Sequence, residues 1–180
     1  MVGARVVGGC ADRSTYTDAA GESKLMASTQ FESIDARRCF PCWDEPRRKA
    51  TFEVTLTVPR HMIALSNMPS RRHRDNGPDA GTTTTSFMPS PRMSTYLLAF
   101  VVGEFGHVAQ LSKNGVLVTV FTPPTKPELG EFALECAVAA LDRYDELFGH
   151  PYPLPKSDMV AIPEFAAGTM DDPAAHMVIN

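Results

Sequence analysis

Cys39-Phe40-Pro41-Cys42 sets two thiols at the spacing used by a redox pair or by half of a zinc site. A redox pair of this type sits where a strand meets a helix N-terminus, which lowers a thiol pKa. Here Asp44, Glu45 and Pro46 follow at once, and their charge acts in the opposite direction. A zinc site needs further ligands, whereas Cys10 and Cys136 stand apart. Buried structural thiols are the favoured reading, with a redox pair and a zinc half-site as alternatives. The histidines are His61, His73, His107, His150 and His176. None precedes a Glu and no two have the spacing of a helical His-Glu-x-x-His zinc site. A Gly-x-Ser-x-Gly nucleophile elbow and a phosphate loop are also absent from the sequence. Ser70-Arg71-Arg72-His73-Arg74 is a basic run beside Asp75 and Asp79, with no interleaved aromatic residue. It reads as a solvated hairpin loop, with a phosphate or acidic-partner contact as the alternative. Gln30, Glu32, Asp171 and Asp172, taken alone, read as surface groups at turns or strand ends.

These groups are carried by a chain of 180 residues with Lys+Arg 17 against Asp+Glu 21, a formal net charge of -4. That balance argues against a basic nucleic-acid binder and against a long acidic tail. Four cysteines are too few for a disulfide scaffold of this size. Apolar runs such as Tyr96 to Val102 fall short of the ~20 residues that span a bilayer. The first residues lack the ~7–15-residue apolar run of a signal peptide. The expectation is a soluble cytoplasmic chain in a reducing compartment, with no membrane or nucleic-acid partner.

The elements follow from periodicity. Residues 1–24 are small and polar, an irregular segment or an edge strand, and Lys24 to Glu32 is a short strand candidate. Pro41 and Pro46 block regular structure between Ile34 and Lys49. Ala50 to Val58 alternates, with Phe52, Val54, Leu56 and Val58 on one face, and Pro59 ends it. Met62–Met68, Thr82–Met88 and Gly115–Thr122 are further strands, with Ser70–Gly81 a loop by composition. Thr95 to Gly103 reads as a central strand covered on both faces. Glu128 to Phe148 reads as one helix, with Leu129, Phe132, Ala133, Cys136, Ala140 and Leu147 along one side and Gly149 as its stop signal. A turn-rich connector and a strand over Ser157–Ile162 follow. Strands give way to strand–helix–strand near residues 108–123, where a domain change is expected.

A longer string now bears on the isolated carboxylates. It runs Met26-Ala27-Ser28-Thr29-Gln30-Phe31-Glu32, then Asp35-Ala36-Arg37-Arg38-Cys39-Phe40-Pro41-Cys42-Trp43-Asp44-Glu45-Pro46, then Lys49-Ala50-Thr51-Phe52. It continues through Ala64-Leu65-Ser66-Asn67-Met68, Ser94 to Phe100, and Ser157 to Pro163. It resembles the puromycin-sensitive type of zinc aminopeptidase, a gluzincin metallopeptidase family, over roughly residues 14–172.

The resemblance implies a mostly β fold with an α+β C-terminal part. Residues 14–108 would be a partial N-terminal β-saddle, 109–180 the opening of a thermolysin-like catalytic domain, and 1–13 a divergent N-terminal segment. It implies that Gln30 and Glu32 match an arm that reaches the active site, where the Glu helps hold the substrate's α-ammonium. The second acidic group comes from a Gly-Ala-Met-Glu-Asn segment, which Gly168-Thr169-Met170-Asp171-Asp172 resembles. Fixed carboxylates give a terminal cation charge-assisted hydrogen bonds that an internal peptide nitrogen does not make. Backbone at Gly168 and Thr169 would align the scissile peptide. Asp171 stands where relatives have Glu, one methylene shorter, and Thr169 and Asp172 replace Ala and Asn. Pro173-Ala174-Ala175-His176 departs from the usual Trp-Gly-Leu continuation. The family's zinc site, His-Glu-x-x-His, and its oxyanion Tyr would lie beyond residue 180, and the first half of the saddle before Ser14. The expectation is therefore a zinc aminopeptidase piece truncated at both ends. It would recognise a peptide with a free N-terminus, hold no zinc and be inactive alone. A non-catalytic peptide-binding or enzyme-interacting protein is the alternative, and a Cys-x-x-Cys redox module a third reading.

Overall fold

The computed structural model describes residues 11–18, 20–124, 127–162 and 176–179. In chain order the elements begin with β1 (Asp12–Thr17), β2 (Ser23–Ser28) and a single helical turn, α1 (Ala36–Cys39). Strands β3 (Thr55–Pro59), β4 (Ile63–Ser66), β5 (Ser70–Asp75), β6 (Thr82–Phe87) and β7 (Phe100–Gly103) follow. Next come β8 (Gly106–Leu111), β9 (Leu117–Thr122), helix α2 (Glu131–Phe148), β10 (Lys156–Ala161) and β11 (His176–Ile179). The chain is mostly β with an α+β C-terminal part, as its periodicity suggests. It divides into two compact units, Met1–Thr15 with Leu25–Gly103 and Tyr16–Lys24 with Glu104–Asn180.

In the first unit β3, β6 and β5 form an antiparallel sheet in that order. Leu56 and Val58 of β3 are buried with Ala64 and Phe87. Thr55 and Thr57 on the opposite face bond across to Ser86 (3.0 Å) and Thr84 (2.8 Å). The regular strand begins at Thr55, later than the alternation suggests, because the preceding backbone bonds to scattered partners rather than one ladder. Ala50 pairs with Met93, Ser90 N–H donates to Phe52 and Phe87 N–H to Val54.

Residues Ser70–Asp75, expected as loop, are strand β5, paired with β6 as far as Asp75↔Thr83 with a bulge after Ser70. All six residues are exposed, so backbone bonding rather than burial makes this strand. Its charged composition therefore gave no strand signal. Arginines on such an edge also discourage pairing with a second chain.

A second sheet has the order β1-β2-β7-β4. The Thr95–Gly103 run is not one strand: Thr95–Leu97 is a 3-10 turn and only Phe100–Gly103 pairs as a strand. Its extended half is central, with β2 on one side and β4 on the other, and Val101 is fully buried.

In the second unit the sheet order is β11-β10-β9-β8. β9 and β10 are parallel, so the chain between them must cross over, and α2 is that crossover. Leu134 and Val138 pack on Val118 and Val120, with Ala133, Ala137, Leu141 and Met159 around them. The helix face expected to be the packed one is therefore corrected. Leu129, Phe132, Cys136, Ala140 and Leu147 face solvent, and of that row only Ala133 meets the sheet. The helix is apolar over more than one face, and the sheet takes the valine-matched side.

Gly130 opens α2 against the sheet. A Cβ there would meet Val108 Cγ2 and Val120 Cγ1, each at 3.1 Å. Gly149 closes the helix in the left-handed region at φ 61. In β10, Lys156 and Asp158 share a face and form a buried ion pair, with side chains 8% and 7% exposed. Thr119, the β9 register partner of Asp158, adds a hydrogen bond to its carboxylate. Burial pushes the Lys156 pKa down and the Asp158 pKa up, each opposed by the partner's charge. Both charges are thus penalised on folding, and only their pairing makes them tolerable.

Two outcomes follow from this packing. Gly130→Leu should destabilise the second unit by about 1–3 kcal/mol in urea melts, because β8 and β9 must yield to the added side chain. Lys156→Met alone should cost about 3–5 kcal/mol by leaving Asp158 unpaired, whereas Lys156→Met with Asp158→Leu should be near neutral. Equal losses for the single and double variants would show that the pair itself stabilises the strand.

Candidate functional site

The Gln30-Phe31-Glu32 segment starts where β2 ends. Thr29 locks the chain to the central strand: its N–H donates to Phe100 O at 3.0 Å, and Phe100 N–H donates back to Thr29 Oγ1 at 2.9 Å. Phe31 then enters the core, 1% exposed, against Ala36 and Leu98. Its ring meets Phe40 and Phe100 edge-to-face, with centroids 6.2 Å apart in both cases. In extended backbone, one inward side chain sends its neighbours outward. Gln30 is half-buried and Glu32 is exposed. Gln30 Oε1 accepts from the Glu32 N–H at 3.1 Å, and the Glu32–Ser33 peptide is cis. Asp35 N–H donates to Phe31 O at 3.0 Å and turns the chain into α1. Among the described residues no cation pairs with the Glu32 carboxylate. An exposed carboxylate beside a buried aromatic anchor can accept charge-assisted hydrogen bonds from an ammonium group.

The wall behind Phe31 is itself pinned. Asp44, with its side chain 2% exposed, accepts from the Arg37 backbone N–H and from Arg37 Nε, both at 3.1 Å. Thr95 Oγ1 donates to its other oxygen at 2.6 Å, and Arg37 Nη2 donates to the Asp44 carbonyl at 2.9 Å. Ser94 Oγ donates to Pro46 O at 2.7 Å, and Lys49 Nζ donates to Ser94 Oγ at 2.8 Å. The loop after α1 is therefore tied at several points to the segment that leads into β7.

Burial alone would raise the Asp44 pKa. The bonds from Thr95 and Arg37 outweigh it and hold the carboxyl below its ordinary range. Cys39 and Cys42 pack against the Phe31 cluster, and burial and then Asp44 push the Cys42 thiol up. That is the opposite of what a redox nucleophile needs, and both thiols are half-buried rather than fully buried.

The other groups singled out in the sequence are dispersed. His73 bonds Thr85 at 2.9 Å, His107 lies tilted against the Phe121 ring and His150 Nδ1 meets Pro151 O. Among the described residues no three His, Cys, Asp or Glu side chains converge as a metal site. Gly168, Thr169, Met170, Asp171 and Asp172, with Cys10, lie outside the described residues. The Asp44–Arg37–Thr95 network leaves no trace in the sequence, because Thr95 is remote from Asp44 along the chain and no local pattern links them.

A group whose folded pKa is depressed contributes stability above its unfolded value, near 3.9, and loses it as the pH falls through the folded value. Asp44→Asn should therefore lower stability at neutral pH by about 1–3 kcal/mol, since its amide NH₂ would face donors. The gap between wild type and variant should close in melts below about pH 3. A gap of the same size at both pH values would place the carboxylate's charge outside the network's function.

Comparison with known proteins bears on the chain's family. The Peptidase M1 N-terminal domain profile matches residues 5–97, and the Peptidase family M1 domain profile matches residues 132–180. Aminopeptidase M1 of Arabidopsis thaliana is 52% identical over 160 residues, 89% of this chain and 18% of the relative. Puromycin-sensitive aminopeptidase of Caenorhabditis elegans is 47% identical, over 89% of this chain and 17% of its own length. Endoplasmic reticulum aminopeptidase 1 of Homo sapiens is 42% identical over the same share of this chain and 17% of its length. The chain thus spans about a fifth of the length of these relatives. Strands β1 to β6 fall in the N-terminal domain match, β7 to β9 lie between the two matches, and nearly all of α2 with the strands after it falls in the catalytic domain match. This chain belongs to peptidase family M1.

Proposed function

We propose that this chain is part of a zinc metallo-aminopeptidase that removes N-terminal residues from peptides, and that Glu32 supplies one carboxylate for the substrate's α-ammonium. The observation that carries this reading is the Glu32 carboxylate itself. It is exposed and unpaired among the described residues, on an arm fixed by Thr29 and by the buried Phe31. Gln30 orients that arm through its bond to the Glu32 N–H. Asp171 takes the place of the second carboxylate, and Gly168, Thr169 and Met170 would line the same peptide. Zinc would polarise the scissile carbonyl and activate water in the complete enzyme. The sequence holds no His-Glu-x-x-His segment, and this chain by itself is proposed to be inactive. The partner is a peptide with a free N-terminus. The cytosol is proposed as the compartment, where the Cys42 and Cys136 thiols persist.

A chimera tests this reading. It carries this chain's matched residues in place of the corresponding stretch of the Arabidopsis relative. Glu32→Gln in the chimera should lower kcat/KM for a dipeptide about 10–100-fold, the loss of one charge-assisted bond, with an unchanged melting temperature. Asp171→Glu should raise activity by restoring the missing methylene. An unchanged kcat/KM in the Glu32→Gln chimera would remove Glu32 from amine recognition.

A further inference from the structure

Strand β5 is the outer strand of its sheet. The order is β3-β6-β5, and β5 pairs with β6 alone. Its other side therefore carries a row of backbone N–H and C=O groups with no strand on them among the described residues. All six of its residues are exposed. Pairing with β6 is regular from Arg72↔Ser86 to Asp75↔Thr83, and Arg71 is the extra residue of the bulge. The open edge is thus held in strand register over residues 72–75.

Its charge is one-sided. Asp75 is already engaged, accepting from Arg60 Nη2 at 2.7 Å and from the Gly77 N–H at 2.9 Å. Among the described residues Arg71, Arg72 and Arg74 form no ion pair. Asp79 in the β5–β6 turn and Glu53 before β3 are exposed and do not pair with them. Arg72 and Arg74 stand two residues apart on one face, across from Ser86 and Thr84. The hydroxyls of that face are bonded among themselves. Thr55 Oγ1 donates to Ser86 Oγ at 3.0 Å, the Thr57 and Thr84 hydroxyls meet at 2.8 Å, and Asn76 Nδ2 donates to Thr84 Oγ1 at 2.9 Å. What the edge leaves open is its backbone and its guanidinium groups.

Charges on an edge ordinarily guard against aggregation, and here they dispose of one occupant. In an antiparallel pair of identical edges, the arginines of one copy would lie near those of the other, which is unfavourable. The same charges select a strand of opposite sign. We propose that β5 is a docking edge for an extended acidic segment of a partner polypeptide. That segment adds as a fourth strand and sets Asp or Glu, at alternate positions, across from Arg72 and Arg74. Main-chain hydrogen bonds supply affinity in such an addition, and alternate side chains supply specificity. Arginine suits the role because its planar fork meets a carboxylate through two bonds. A flexible polyanion would use the charge and ignore the backbone, whereas a strand uses both the free edge and the two-residue spacing of the arginines. Neither Glu32 nor zinc takes part.

The probe is a synthetic peptide of about eight residues alternating Glu and Thr. It is titrated into the full chain at low ionic strength and followed by calorimetry and amide hydrogen exchange. Exchange over residues 71–75 should slow in the complex. A peptide with Gln in place of Glu, and one with the same charges but N-methylated backbone amides, should each bind at least about tenfold more weakly. Arg72→Glu with Arg74→Glu should weaken the Glu-Thr peptide by at least about tenfold and transfer the preference to a Lys-Thr peptide. The melting temperature should stay unchanged, because both side chains are exposed. Equal binding of the N-methylated peptide, or binding without slowed exchange over residues 71–75, would reduce the contact to charge attraction and overturn the proposal. Absence of binding would also overturn it. So would concentration-dependent protection of residues 71–75 in the chain alone, which would assign the edge to a second copy.

Discussion

The first unit depends on one buried carboxylate. Asp44 is nearly inaccessible to solvent, and an isolated charge in that position would be strongly unfavourable. It is tolerated because donors from Arg37 and Thr95 reach both of its oxygens. Arg37 lies in α1 and Thr95 in the turn that leads to β7, so one side chain ties together segments far apart in sequence. Cys39, Phe40 and Cys42 lie between those tie points and form the wall against which Phe31 packs. Phe31 in turn fixes the outward direction of Gln30 and Glu32. Positional accuracy at the arm is thereby inherited from a group that touches no ligand. Arg37 remains half-exposed, so the contribution lies mainly in the directed hydrogen bonds and little in unscreened charge attraction.

The second unit solves a different problem. A parallel strand pair needs a long crossover, and the crossover helix must lie close enough to the sheet to bury its valines. Gly130 permits that closeness at the helix start, where the methyl groups of Val108 and Val120 fill the space a Cβ would occupy. At the other end, Asp142 and Asp145 accept from Lys113 and Asn114 in the β8–β9 turn, and Asp145 also accepts from the Tyr152 N–H. The polar edge of the helix is thus bonded to the turns that flank the sheet, while Leu134 and Val138 supply the packing.

How much of this could be read in the chain follows from which forces leave a periodic trace. Burial on one face leaves alternation, and Leu56 and Val58 announced β3 for that reason. A helical stop leaves a glycine, and Gly149 marked the end of α2. Backbone pairing at an exposed edge leaves nothing, so the composition of β5 is that of a loop. Periodicity also cannot tell which of two apolar faces a sheet will choose, and α2 presented its solvent face to the reader. The arm was legible only through resemblance: Gln30 and Glu32 are ordinary surface types, and what distinguishes them is the buried Phe31 between them. Asp44 left no sequence signal of its buried role, because its partners converge only in three dimensions.

Three carboxylates of this chain show how environment divides positioning from recognition. Asp44 is buried with its acceptor capacity taken up by fixed donors, which keeps it ionised and leaves it nothing to offer a ligand. Asp158 is buried against one ammonium and one hydroxyl, and burial raises its pKa because that compensation is incomplete. Glu32 is exposed, with no cation on it among the described residues, so its lone pairs remain in water until a stronger donor arrives. Recognition requires that last state, since a carboxylate already saturated by the protein gains nothing from an incoming ammonium. It also requires that the backbone beneath the group be immobile, or ordering the arm would consume the binding energy. Thr29 and Phe31 meet that second requirement on either side of Gln30. Under the proposed role, binding would fall to the residue least constrained by its own side-chain contacts, while Thr29 and Phe31 beside it are buried and bonded.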